Sequence, residues 1–234
     1  MWLSFEHEIM HLETYLYMLL QSAKALPPPG IRKPDFEALD AKAELASVPN
    51  QWFRIPKKES KIGLEDPEND QGPDRYFGWD NEKPSRYVSV PEFETQGRPI
   101  SNGEYARYLR QTDSTAIPAS WSVNESKAKH TNGAINGFIN GSNSLRASDR
   151  DHTRGKTDLF EDISVRTVYG PIPLKYARHW PVMASYDELA AYAKWSDGRI
   201  PTLEEARRIY AHVEDTKQNI EEQVSSSLIS AVNG

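Results

Sequence analysis

Apolar positions at the start of the chain follow a helical rhythm. Phe5, Ile9, Leu12, Leu16 and Leu19 fall on one stripe at about 100° per residue, and Met10, Thr14, Tyr15 and Met18 flank the opposite face. No Gly or Pro interrupts the stretch from Trp2 to Lys24, and Leu, Met and Glu fill it, so it predicts a helix. A helix that is apolar nearly all round predicts burial. Pro27-Pro28-Pro29-Gly30 stops it, because proline lacks the backbone donor and Gly supplies the turn. Pro34 to Ala46 then reads as a short amphipathic connecting helix.

From Gln51 the texture changes. Trp52 to Ile55, Ser60 to Gly63 and Arg86 to Val90 predict short strands, with a further one from Glu92 to Gly97. Between them, Leu64 to Lys83 is a polar loop that also carries Tyr76, Phe77 and Trp79, which predicts an ordered loop pinned to a core. Its acid content suits Ca²⁺, but the EF-hand spacing is absent. Ser101…Glu104, Ser185…Glu188 and Thr202…Glu205 have the spacing of capping boxes, each opening a helix. Gly198 sits where a helix-ending glycine is expected. Residues 122–162 are poor in apolar side chains and read as a surface insertion, while Val165 to Pro173 returns to strand-like texture. The tail after Val213 is charged, then Ser-rich, and is expected to fray.

Composition narrows the function classes. The chain of 234 residues carries a net charge of −6, which argues against nucleic acid or an anionic membrane as the main partner. With no cysteine it has no disulfide, no Cys-type zinc site and no cysteine nucleophile. No apolar run reaches membrane-spanning length and no signal-peptide pattern opens the chain, so a cytoplasmic location is expected.

The chemistry is concentrated in His7-Glu8-Ile9-Met10-His11-Leu12-Glu13. Residues four apart share a helix face, so His7 and His11 can converge on one metal ion. Three readings fit. His-Glu-x-x-His is the zinc-protease pattern, with Glu8 as general base, but it needs a third ligand downstream. His-x-x-x-His-x-Glu adds Glu13, which lies roughly 200° around the helix from His11 and so acts outside the metal's direct ligands or as an anchor. The third reading is two histidines with no metal. His130 and His152 lie in the insertion and read as solvated, and His179 beside Trp180 reads as a packing histidine.

These residues resemble a known pairing of domains. Phe5 through Thr14 resembles the last helix of a DinB-like four-helix bundle in the ergothioneine-forming sulfoxide synthases. Ile62-Gly63, Asp80 through Pro84, Arg98 through Tyr105, Trp180-Pro181-Val182 and Gly198 through Thr202 resemble the sulfatase-modifying-factor domain of formylglycine-generating enzymes. The resemblance covers most of residues 2–212 outside the insertion and is nearest to the fungal type. It implies an α+β protein: residues 1–26 the last bundle helix, 27–50 a linker with a short helix, 51–212 an irregular C-type-lectin-like domain, and 213–234 the tail.

The resemblance also implies a mononuclear non-heme Fe(II) held by three histidines, two of them matched by His7 and His11. That iron uses O₂ to join the sulfur of cysteine to the imidazole of hercynine, giving a sulfoxide. Glu13 is carried as a candidate outside the direct ligands. Met10 stands where bacterial relatives have a Gln that touches the imidazole substrate. The family's third histidine ligand lies upstream of this helix and its catalytic tyrosine lies near the end of the second domain. The chain is therefore expected to be a piece cut at both ends, lacking the catalytic tyrosine and incomplete as an enzyme on its own. The competing expectation is a non-catalytic, metal-free binding module built on the lectin-like domain.

Overall fold

The computed structural model describes residues 2–22, 25–66, 77–112, 114, 116–123 and 163–232, with side chains described through Gln218 except that of Trp2. Helix α1 spans Trp2–Leu20, α2 Phe36–Leu45, α3 Asn102–Gln111, α4 Tyr186–Trp195 and α5 Leu203–Val232. The strands are β1 (Trp52–Ile55), β2 (Lys58–Ile62), β3 (Arg86–Val90), β4 (Phe93–Gln96), β5 (Trp121–Val123), β6 (Ile163–Val165) and β7 (Ile172–Pro173). The fold is α+β, with small antiparallel sheets ordered β1-β4, β2-β3 and β5-β6-β7. It divides into two units, one of Met1–Ser4, Asn50–Arg98 and Ile200–Gly234, the other of Phe5–Pro49 and Pro99–Arg199. The expected insertion, with its two histidines, lies almost wholly outside the described residues, as do Tyr76 and much of the acidic loop.

In the first unit, β1 pairs with β4 from Trp52↔Gln96 to Ile55↔Phe93, and β2 pairs with β3 from Lys58↔Val90 to Ile62↔Arg86. Each of the three strands β1–β3 buries one residue at its end, Ile55, Ile62 and Val90. Helix α5 packs against these strands and buries Glu205 and Arg208. Lys58 donates to Asp215 at 2.8 Å, and Arg86 pairs with Glu204 at 3.6 Å. Gly63 ends β2 with φ +90, and a Cβ there would stand 2.5 Å from the Glu82 carbonyl oxygen. That carbonyl accepts from the Leu64 amide at 2.8 Å, so the close approach fixes the loop and excludes a side chain.

The second unit holds the larger core. Tyr105, Ala106 and Leu109 of α3 pack with Trp121, Ile163, Val165, Leu174, Ala177, Val182 and Tyr192. Asn102, 2% exposed, ties this core together. Its amide nitrogen donates to Ala177 O at 2.9 Å, its carbonyl accepts from Trp121 Nε1 at 3.0 Å, and its backbone N–H donates to Trp180 O at 2.8 Å. Every buried polar atom of that side chain finds a partner, as interior polar groups require. Beside it, the rings of Tyr105, Tyr108, Tyr192 and Trp195 form a cluster with centroids 5.3–5.8 Å apart.

Local rules set the helix ends. Both bonds of the capping box are present at Ser101/Glu104, Ser185/Glu188 and Thr202/Glu205. Asp35 caps α2 by accepting from the Ala38 amide at 3.0 Å. The end of α4 differs from expectation by one residue. Asp197, at φ 59, takes the left-handed position, and Gly198 follows it, donating to Ala193 O at 2.7 Å. With Asp197 donating to Lys194 O at 3.3 Å, this is a Schellman ending in which Asp fills the place usually given to Gly. The expected fraying after Val213 is replaced by helix: α5 continues to Val232. No Gly or Pro breaks residues 203–232, and Glu, Lys and Gln there favour helix. None of the described helices is long and apolar enough to cross a membrane.

Candidate metal centre

Helix α1 places its two histidines as an i, i+4 pair should stand. The Nε2 atoms of His7 and His11 face each other at 2.8 Å. Their ring centroids are 4.5 Å apart with planes at 69°, and Tyr15 stacks on His11 at 5.9 Å. In the neutral pair one Nε2 donates to the other. Two metal bonds of roughly 2.0–2.1 Å meeting at about a right angle span roughly 2.9 Å. The separation of the two ring nitrogens therefore matches that of two adjacent ligands on one ion.

The surroundings differ from the expected interior. His7 and His11 are exposed, and so are Phe5, Ile9, Met10, Leu12, Tyr15, Leu16, Met18 and Leu19, with Leu12 at 69%. Apolar residues all round a helix mark what it can bury, and among the described residues nothing covers either face. The burial that the apolar helix predicts is therefore not found among the described residues. Glu8 and Glu13 are also exposed. Among the described residues, no group of three His, Asp or Glu side chains is placed to hold a metal ion.

His179 has a role that local sequence did not disclose. Its Nε2 lies 2.7 Å from Glu44 Oε2 on α2. The same oxygen accepts from Arg178 Nη2 at 2.9 Å. Arg178 also reaches both carboxylate oxygens of Asp40, at 3.4 and 3.3 Å. Phe36 adds ring contacts with Tyr169 and Trp180 at 6.0 and 5.7 Å. These contacts fasten α2, the connecting helix after α1, to residues 169–180 within the second unit. Asp40 and Glu44 are one helical turn apart and face the same way, the only local hint of a shared partner.

Comparison with known proteins adds the family context. Residues 52–216 match the Sulfatase-modifying factor enzyme 1-like domain. The chain is 48% identical over 233 residues, 99% of its length, to Ergothioneine biosynthesis protein 1 of Neurospora crassa, of which it covers 26%. It is 28% identical over 240 residues, 91% of its length, to Ergothioneine biosynthesis protein 1 of Schizosaccharomyces pombe, of which it covers 25%. The chain thus spans about a quarter of the length of the curated relatives it matches.

Proposed function

The chain belongs to the sulfatase-modifying factor enzyme 1-like domain family, and from that premise we propose that it works in ergothioneine biosynthesis as part of an Fe(II)- and O₂-dependent sulfoxide synthase. The reaction joins the sulfur of cysteine to the imidazole carbon of hercynine. The observation that carries this reading is the 2.8 Å Nε2 pair of His7 and His11. Its weight comes from the likeness that runs through that helix to the relatives' ergothioneine proteins.

Iron(II), when bound, supplies the activation of O₂ and the oxidation of the thiol. His7 and His11 each offer a neutral ring nitrogen and leave the other positions on the ion open. Met10 lies beside the pair on the chain and brings an adaptable apolar surface to an aromatic substrate such as the hercynine ring. Glu13 anchors or orients from outside the direct ligands. The location that suits this chemistry is the cytoplasm.

A chimera tests the reading. The matching segment of the Neurospora relative is replaced by this chain, and ergothioneine is measured in cells lacking their own gene. The chimera should restore product, and the same chimera with His7→Ala should not. Product formed equally with His7→Ala, or a chimera that is stable but silent, would overturn the proposal.

A further inference from the structure

We infer that Arg166 is a positioning residue that sets the direction of the histidine helix from outside it. Helix α1 has no basic side chain in its last turn to answer its negative end. Arg166, far away in sequence on the loop after β6, supplies that charge. Its Nη1 donates to the carbonyl of Gln21, directly after α1, at 3.1 Å. Its Nε donates to the carbonyl of Trp121 at 3.2 Å, and its backbone N–H donates to Ser120 O at 2.8 Å.

The anchor beyond Arg166 is rigid. Trp121 is 1% exposed and its Nε1 is held by Asn102, which in turn holds Ala177. A chain of hydrogen bonds therefore runs from the end of α1 into the core of the second unit. At about 1.5 Å per residue, His11 lies roughly 15 Å and His7 roughly 21 Å along the helix from Gln21. A fixed end at Gln21 thus restrains the whole lever that carries the pair. The planar fork of Arg holds two carbonyls at once, which a single ammonium cannot do in the same geometry.

This inference rests on the reading of His7 and His11 as a metal pair, and its test separates the two. The chain has no cysteine, so one introduced Arg107→Cys on α3 takes a single nitroxide. Cu(II) alone is the probe for the histidines. Pulsed dipolar spectroscopy then gives the distribution of copper–nitroxide distances. We expect one narrow distribution in the parent, a several-fold broader one in Arg166→Ala, and partial narrowing in Arg166→Lys. Cu(II) affinity should stay within about twofold, because the bite of the pair is internal to α1, and thermal melting identifies any variant that fails to fold. A distribution equally narrow in folded Arg166→Ala overturns the positioning role. Should Arg166→Ala not fold, a distribution in folded Arg166→Lys as narrow as the parent's also overturns it. Failure of the parent to bind Cu(II), or binding that persists in His7→Ala/His11→Ala, overturns the metal reading instead.

Discussion

Trp121 Nε1 donates to Asn102 Oδ1 at 3.0 Å, and both side chains are all but removed from solvent. Asn102→Ala would leave the buried indole N–H without its partner, while the Ala177 carbonyl keeps the Trp180 amide at 3.1 Å. A buried group left unsatisfied costs about 1–3 kcal/mol, and a loss of that size is expected. Urea unfolding followed by Trp fluorescence measures it.

Tyr105 predicts the behaviour in alkali. Burial first, then the charges of Glu188 and Tyr108, push its phenol well above its ordinary value. A group with a raised folded pKa binds its proton more tightly when folded. Its contribution is whole below the ordinary tyrosine value of about 10 and is lost as pH rises beyond that. Stability should therefore fall from about pH 10 upward, and Tyr105→Phe should flatten that fall. Denaturant midpoints between pH 8 and pH 11 for the two proteins provide the comparison.

Glu44 is shared by Arg178 and His179, and Arg178 also holds Asp40. Removing Arg178 strands Asp40, whose side chain is largely buried, whereas Glu44 is mostly exposed. Arg178→Ala should cost about 1–3 kcal/mol, and Glu44→Ala under about 1 kcal/mol. In both variants the amides of Phe36–Leu45 should exchange faster, with those of α3 little changed. Hydrogen exchange by mass spectrometry resolves the two helices.

What the chain states locally was legible before the structure. The capping residues at Ser101, Ser185 and Thr202 act over three positions, so they show in sequence as they stand. Strand texture at Trp52–Ile55 and Arg86–Val90 was equally plain, but the pairing of β1 with β4 was not, because it joins segments some forty residues apart. Asn102–Trp121, Arg166–Gln21 and His179–Glu44 escaped for the same reason: each partner is chosen by the fold. The left-handed residue at the end of α4 was placed one position late, since Asp tolerates that conformation where Gly was expected. The helical rhythm of α1 shows in its sequence, but periodicity says which face can be buried and not what covers it.

Anaerobic titration of the purified chain with Fe(II), beside His7→Ala/His11→Ala, tests the central claim most directly. Both histidines are exposed, so the double variant should keep its stability within about 0.5 kcal/mol and serve as a folded control. The account predicts one Fe(II) per chain, held weakly by two ligands and lost in the variant. No uptake by the parent, or equal uptake by the variant, would contradict it.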